Sequence, residues 1–175
     1  MTDLVVRRAH DADMAEIARL CWAYRALLVE RSADVVPGIV ERYYAKDSYA
    51  AMIADLPRIH ARPRGDMMLA EHVGKAVGCA MYYPLGPDGV TEIKRVFVDP
   101  AARGLGAGRA LMADGMRRAA ADGYGRMVLD TIAPLTEAIA LYRRLGFAPC
   151  APFYTPDPAF APHLRFFDVT LEGTP

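Results

Sequence analysis

The 175-residue chain has little cysteine, and neither sign of charge is in excess. Its three cysteines, Cys21, Cys79 and Cys150, are far apart and show no CxxC or CxxH spacing, and its four histidines show no metal-site spacing. This pattern argues against a disulfide framework and a zinc site. Lys plus Arg and Asp plus Glu number 21 each, so the basic excess typical of nucleic-acid-binding proteins is missing. We therefore expect reduced, buried thiols, no metal and no nucleic-acid partner.

Long apolar runs are missing as well. No run approaches the roughly 20 residues needed to span a bilayer, and the opening MTDLVVRRAHDAD lacks the apolar centre of a signal peptide. The expectation is a cytoplasmic protein with no membrane partner. What is present is a 53% share of hydrophobic residues. At this length we expect residues 1–175 to form a single domain with a substantial core.

The hydrophobic patterning predicts an α/β (α+β) fold. Alternating and β-branched segments predict strands at residues 4–7, 67–73, 76–83, 91–98, 126–131, 147–150 and 163–171. Helical spacing predicts a helix after Asp11 or Asp13, a second helical stretch from Pro37 to about Pro57, and further helices ending near Asp122 and Gly146. The order β-α-α-β-β-β-α-β-α-β-β indicates a mixed sheet with helices on its faces.

A glycine-rich turn follows the predicted strand at 91–98. It reads Arg103-Gly104-Leu105-Gly106-Ala107-Gly108-Arg109, and a helix is predicted to begin inside it. Glycines let backbone amides converge, and the first amides of a helix are unpaired at the positive end of the helix dipole. The turn is therefore suited to a pyrophosphate, with two arginines at its rim. A glycine turn without a ligand is the alternative.

Two nucleotide-binding motifs fit this turn poorly. A Walker P-loop requires Lys and then Ser or Thr after its last glycine, whereas Arg109 and Ala110 follow Gly108. A Rossmann fingerprint has the spacing G-x-G-x-x-G early in a βαβ unit, whereas G-x-G-x-G here follows strands that are predicted to be antiparallel. Both a kinase and a dehydrogenase are therefore disfavoured.

The chain resembles the GNAT superfamily of N-acetyltransferases in two motifs. The run from Arg103 to Gly108 matches the R/Q-x-x-G-x-G/A pyrophosphate motif, and AIALYRRLGF, from Ala138 to Phe147, is similar to the family's A-I-x-L-Y-x-x-L-G-F signature. The two occur in the family's order. The resemblance covers about 4–171 and implies the GNAT fold, a mostly antiparallel mixed sheet of about seven strands flanked by about four helices.

The resemblance implies acetyl-CoA as co-substrate, bound where two strands splay apart. The backbone of Val96, Phe97 and Val98 would hold the pantetheine and thioester, and the amides of the glycine turn would hold the pyrophosphate. An amine would attack the thioester directly in a ternary complex. Many relatives carry a cofactor-binding asparagine three residues before the helix alanine. Leu135 stands there in this chain, which excludes that side-chain hydrogen bond.

Three side chains are candidates for the chemistry. Tyr142 matches the family's cofactor-contacting acid, because a phenol with a reference pKa of about 10 can protonate a departing thiolate; core packing is the alternative. Glu92 is the preferred base, because it is predicted to share a strand face with Val96 and Val98. Asp130 is the rival base, and a water-relayed base or no dedicated base are further alternatives. For both Glu92 and Asp130, the alternative to a catalytic role is a solvated or ion-paired carboxylate.

The first two helices and the last loop are expected to form the acceptor pocket, by the same resemblance. Its candidate walls are Trp22, Tyr24, Tyr43, Tyr44, Phe153 and Tyr154, although its apolar stripe favours a core position for Tyr24. Four carboxylates could attract a cationic amine, with a solvated surface position as the alternative: Glu30, Asp34, Glu41 and Asp157. A small-molecule amine or amino acid is favoured over a protein acceptor. A protein N-acetyltransferase, a non-catalytic acyl-CoA sensor and a homodimer remain open.

Overall fold

The computed structural model describes residues 3–172, and these form a seven-stranded sheet. Its strands are β1 (Leu4–Arg8), β2 (Asp66–His72), β3 (Lys75–Pro84), β4 (Val90–Val98), β5 (Arg126–Ile132), β6 (Ala148–Pro149) and β7 (Leu164–Thr170). The order across the sheet is β1-β2-β3-β4-β5-β7-β6. Only β4 and β5 pair in parallel, and all other neighbours are antiparallel. The predicted mixed, mostly antiparallel sheet is confirmed.

Five α-helices flank the sheet in the described part of the chain. They are α1 (Met14–Ser32), α2 (Ile39–Tyr43), α3 (Lys46–Ile59), α4 (Ala107–Ala121) and α5 (Thr136–Arg144). The second predicted helical stretch is two helices, because the backbone leaves the helical region at Tyr44, with φ −138°. A new helix then begins at Lys46, and the Ser48 hydroxyl donates a hydrogen bond to the Ala45 carbonyl in its first turn (3.0 Å).

The two faces of the sheet have separate cores. Helix α4 lies on one face, where Gly115 allows a close approach: a Cβ there would lie 3.0 Å from Ile93 and 3.2 Å from Met68. Helices α1 and α3 cover the other face, with Leu20 and Leu56 fully buried against the sheet. The apolar stripes of these helices therefore hold the sheet from both sides and fix the positions of the segments between them.

Strands β4 and β5 diverge after a short paired segment. They pair from Val90 opposite Arg126 to Glu92 opposite Val128. Beyond this point β4 continues only against β3, and β5 continues only against β7. The backbone of each strand therefore lacks a sheet partner on the side that faces the other. This is the splay that the GNAT resemblance implied.

A β-bulge interrupts β4 just after the strands diverge. Phe97 pairs with Cys79, but Lys94 pairs with Met81, so β4 has one residue more than β3 between these two pairs. Arg95 lies in this bulge and has a left-handed backbone with φ +54°. A side chain other than glycine adopts that conformation only where the surrounding structure holds it.

The bulge reverses the face alternation along β4. A regular strand would place Glu92 on the same face as Val96 and Val98. With one additional residue between them, Glu92 instead lies on the face of Phe97, against α1 and α3. The predicted shared face was therefore wrong, and the reason is the single inserted residue, which reverses the alternation.

Candidate active site

A cavity of about 420 Å³ opens beside the end of β4 that has diverged from β5, between α1, α4 and α5. We call it the glycine-turn cavity. Among the residues that line it are Val96, Phe97, Val98, Arg103, Gly104, Gly106, Ala107, Gly108, Arg109 and Tyr142. Every residue predicted to bind the cofactor therefore lies here except Leu105. Leu135 also lines the cavity, as an apolar wall.

The turn presents free backbone amides at the start of α4. Gly104 and Gly106 have left-handed backbones, with φ of 85° and 83°. The Ala110 amide donates to the Gly106 carbonyl (2.9 Å), so the amides of residues 107–109 precede the first bond of the helix. Unpaired amides at the positive end of a helix dipole form a site for an anion.

Positive charge surrounds this turn. Arg103, Arg109 and Arg144 line the glycine-turn cavity, and none of them is ion-paired with another described residue. Arg31 of α1 also lines it and is bound to Glu137 of α5, so that an ion pair links the two helices beside the cavity. The cavity thus combines backbone donors with cationic side chains that have no ion-pair partner among the described residues, a combination suited to phosphate groups.

Tyr142 faces the same cavity from α5. Its side chain is buried, with 6% of its surface exposed, and its ring packs against Phe147 and Phe167 at centroid distances of 6.1 and 6.3 Å. Burial raises the pKa of its phenol, and the negative charge of Asp130 raises it further. The core packing that was the alternative for Tyr142 is thus present, and the same residue lines the cavity, so its role as an acid stays a prediction.

A second cavity, of about 400 Å³, adjoins the first and is enclosed by α1, α2, α3, β4 and β5. We call it the tyrosine cavity, because its walls include Tyr24, Tyr43, Tyr44, Tyr49 and Tyr154. The charged side chains that line it are Lys94, Arg95 and Asp130. Tyr24 lines both cavities. It also packs against two of the buried apolar clusters, so Tyr24 has both the core contacts and the wall position that were predicted for it.

Two of the predicted acceptor walls lie outside the tyrosine cavity. Trp22 is 38% exposed and packs edge-on against Tyr49, at 5.2 Å between ring centroids. Phe153 packs against Tyr154 and Phe166, at 5.6 and 5.4 Å. Both rings therefore support residues of the cavity wall and do not form the wall themselves.

None of the predicted acceptor carboxylates lines the tyrosine cavity. Glu41 is paired with Arg25 (2.8 Å) and Asp157 with Arg42 (2.9 Å). Glu30 and Asp34 are exposed to solvent. These four side chains are therefore ion-paired or solvated at the surface. The carboxylate that lines the tyrosine cavity is that of Asp130.

Asp130 lies near the junction of the two cavities. It accepts a hydrogen bond from the Tyr154 hydroxyl (2.7 Å), and Lys94 Nζ lies 3.5 Å from it. Burial is the main cause of the raised pKa of Tyr142, Tyr44 and Tyr154, and the negative charge of Asp130 is the second cause for all three. A single carboxylate thus influences the hydroxyls around the tyrosine cavity and the hydroxyl of the glycine-turn cavity.

Glu92 lines neither cavity. Its side chain is buried, accepts a hydrogen bond from the Tyr83 hydroxyl, and is paired with Lys94 Nζ at 2.7 Å. Burial lowers the pKa of Lys94, but Asp130 and Glu92 outweigh this effect and the pKa is raised. Lys94 is therefore charged, and Glu92 has the ion-paired role that was its alternative.

The residues that sequence reasoning missed are Tyr49, Lys94 and Arg95. Tyr49 belongs to α3, whose beginning was hidden by the polar run from Lys46 to Ser48. Both cationic side chains reach the tyrosine cavity through the bulge in β4. An alternating pattern would have sent them to opposite faces, so only the pairing register reveals their common direction.

Comparison with known proteins identifies the family. Residues 32–147 match the Acetyltransferase (GNAT) family. The chain belongs to the GNAT acetyltransferases. It is 36% identical to an IAA acetyltransferase of Azospirillum brasilense over 132 residues, 71% of this chain and 86% of that protein. The motif-based family prediction is therefore confirmed.

Other GNAT proteins agree in fold. An acetyltransferase of the GNAT family from Staphylococcus aureus superposes with a TM-score of 0.72 and 16% identity, covering 97% of this chain and 99% of the other. A Salmonella typhimurium protein that was crystallised with its cofactor acetyl-CoA superposes with a TM-score of 0.67 and 22% identity, covering 98% of this chain and 96% of the other. These likenesses confirm the predicted fold class.

The relatives also carry names that agree with the predicted enzyme class. An uncharacterised N-acetyltransferase of Schizosaccharomyces pombe is 38% identical over 104 residues, or 58% of this chain. The match spans 63% of the length of that relative, and 35% of a mycothiol acetyltransferase from Cellulomonas flavigena. The likeness to these two proteins is thus confined to part of each.

The cysteines are free thiols, with Cys21 and Cys79 buried and Cys150 partly exposed. Within residues 3–172, no group of three or more His, Cys, Asp or Glu side chains is arranged to hold a metal ion. In the same range, no helix has the length and apolarity that a membrane span requires.

Proposed function

We propose that this GNAT protein transfers the acetyl group of acetyl-CoA to the primary amine of a small molecule. The observation that carries this proposal is the pair of adjoining cavities that share Tyr24. One has the amides and arginines suited to a diphosphate, and the other has a carboxylate among tyrosines. Both substrates can therefore be bound at the same time, as direct transfer requires.

The glycine-turn cavity is the proposed cofactor site. The amides of residues 107–109, with Arg103 and Arg109, would hold the pyrophosphate. The pantetheine arm would follow Val96 to Val98, because the backbone of these residues lacks a partner in β5. Leu135 would contribute an apolar contact to this arm. Acetyl-CoA supplies the activated thioester, and the chain supplies the groups around it.

The acceptor amine is proposed to lie in the tyrosine cavity, beside Asp130. An ammonium has no lone pair, so it must lose a proton before its nitrogen forms the new C–N bond. Asp130 is positioned to bind the ammonium and accept that proton. Glu92 lacks access to either cavity, so we assign to it the support of Lys94 instead.

The acid and the oxyanion donor lie on the cofactor side. As the nitrogen adds to the thioester carbon, the carbonyl oxygen becomes negative, and a β4 amide near Val98 would donate to it. When the C–S bond breaks, Tyr142 would donate its proton to the departing sulfur. The second amine proton then restores the Tyr142 phenol. The raised pKa of Tyr142 keeps this proton in place until it is needed.

The test is release of free CoA thiol from acetyl-CoA over a panel of primary amines. We expect turnover with at least one small amine, and a loss of about 100-fold in kcat for Tyr142→Phe with unchanged acetyl-CoA affinity. Tyr124→Phe is the matched control, because Tyr124 bonds the Arg64 carbonyl and lines neither cavity. Tight acetyl-CoA binding without CoA release for any amine would instead identify a sensor.

A further inference from the structure

Arg95 is a cation without a partner. Its side chain lines the tyrosine cavity and is half-buried, and its Nε is buried without a hydrogen-bond partner among residues 3–172. No carboxylate of the described chain lies within ion-pair distance of it. A guanidinium withdrawn from water is unfavourable unless it is paired. The side chain is thus suited to an anion that the chain itself does not supply.

Arg25, which is more deeply buried than Arg95, shows how this fold pairs a structural cation. Arg25, which is 6% exposed, donates from Nε to the Tyr44 carbonyl (2.7 Å) and from Nη2 to Glu41 (2.8 Å). Arg25 and Arg95 therefore differ in their partners although both are withdrawn from solvent. Arg25 is satisfied by the fold, and Arg95 is directed at the cavity.

The backbone conformation at Arg95 also indicates that its side chain is directed at the cavity and does not serve to pair groups within the fold. Its left-handed conformation, φ +54°, is what directs two consecutive cationic side chains, Lys94 and Arg95, to the same cavity. A regular strand would have turned one of them to the opposite face. Strained backbone of this kind is concentrated at functional sites.

The charges of the tyrosine cavity form two opposite poles. Lys94 is balanced by Glu92 at 2.7 Å, with Asp130 at 3.5 Å. This leaves Asp130 as the negative pole and Arg95 as the positive pole. The remaining walls are tyrosines and aliphatic side chains such as Leu28, Val40 and Ile132. The cavity thus complements a small zwitterion with an apolar or aromatic side chain.

We propose that Arg95 binds a carboxylate of the acceptor, and that the acceptors are amino acids with apolar or aromatic side chains. This inference rests on the proposed function, because it assigns the acceptor of the same site. The amine would lie at Asp130, near the thioester, and the carboxylate would lie at Arg95. A guanidinium binds a carboxylate in a bidentate manner, which also orients the amine.

The test compares the proteinogenic amino acids with the amines that lack only their carboxyl groups, such as L-phenylalanine against 2-phenylethylamine. CoA release should favour the amino acid of the best pair by about 10- to 100-fold in kcat/KM. Arg95→Met should remove this preference by raising KM for the amino acid alone, and Arg95→Lys should restore part of it. Arg117→Met is the control, because exposed Arg117 pairs with Asp114 far from either cavity.

A binding measurement keeps this inference separate from the proposed function. Calorimetric titration of both members of the pair into the CoA-bound protein should show carboxylate-dependent affinity in the wild type and its loss in Arg95→Met. Equal turnover and equal binding of the two members would overturn the role of Arg95 and leave the acetyltransferase proposal standing. Carboxylate-dependent binding without turnover would support Arg95 and remove the acetyltransferase proposal. Unfolding of Arg95→Met would also overturn the inference, because the fold would then require Arg95.

Discussion

Asp130 and Glu92 carry the same functional group on neighbouring strands, and their surroundings separate them. Glu92 is enclosed by Tyr83 and Lys94, whereas Asp130 faces the tyrosine cavity, accepts a hydrogen bond from Tyr154 and lies at the longer distance of 3.5 Å from Lys94 Nζ. A buried carboxylate that is paired with a cation contributes to the fold. A carboxylate that opens onto a cavity beside a protonated phenol can act on a ligand.

Substitution of each carboxylate by its amide should separate these two roles. We expect Asp130→Asn to lower kcat/KM about 100-fold while the protein stays folded. Glu92→Gln should lower the free energy of unfolding by about 1–3 kcal/mol, because Lys94 loses its closest counter-charge, while the folded protein keeps most of its activity. Steady-state kinetics and urea unfolding measure both quantities. The reverse pattern, with Glu92→Gln inactive but stable, would contradict the assignment.

At the scale of the element, the glycine turn joins β4 to α4 through two left-handed residues. Gly104 and Gly106 turn the chain so that the amides at the start of α4 meet the cavity. The space around Gly104 would admit a Cβ, since no atom lies within 4 Å of it. Backbone conformation, and not crowding, is therefore what requires glycine at this position.

Gly104→Ala should lower both stability and cofactor affinity. We expect a loss of about 1–2 kcal/mol in the free energy of unfolding from the left-handed backbone. Acetyl-CoA affinity, measured by calorimetry, should fall about tenfold because the amides shift. Gly86→Ala is the control, because Gly86 has a similar φ of 75° and open space but lies outside both the glycine-turn and tyrosine cavities. An equal affinity loss in both variants would count against the proposed site.

The elements differ in how far sequence alone predicts them. The glycine turn was predictable because the features that suit it to a phosphate lie in consecutive residues, whose backbone conformation glycine itself permits. The bulge at Arg95 was not, because the segment from Glu92 to Val98 contains neither glycine nor proline to mark it. The tyrosine cavity was predicted only in part, since its walls come from helices and strands that are distant in the chain.

At the scale of the whole molecule, one histidine links stability to pH. His60 follows α3 and is buried, with Nδ1 at 2.9 Å from the Tyr82 carbonyl in β3. The pKa of His60 is lowered from 6.5 to about 4, mainly by burial, with a smaller lowering by the charges of Arg95 and Lys94, although the hydrogen bond with the Tyr82 carbonyl acts in the opposite direction. The unfolded chain therefore binds a proton at a pH where the folded protein does not.

Acid should destabilise the protein through this group. The stability that neutral His60 provides is complete above pH 6.5 and is lost as the pH falls toward about 4. Between pH 7.5 and 4.5 we expect the wild type to lose about 2–3 kcal/mol more than His60→Asn, in which the amide nitrogen can still donate to the Tyr82 carbonyl. Urea unfolding at the two pH values measures this difference. Parallel losses in both proteins would exclude His60 as the cause.

Tyr24 forms part of the wall of both the glycine-turn cavity and the tyrosine cavity. A ligand in one cavity would therefore contact a residue that also lines the other. If the two cavities bind cofactor and acceptor as proposed, the bound cofactor would form part of the surface that the acceptor contacts, and the acceptor would in turn cover the cofactor. Thermodynamic linkage requires these two influences to be equal in free energy. Because Tyr24 of α1 lines both cavities, we expect its ring to contribute to any coupling between the two proposed substrates.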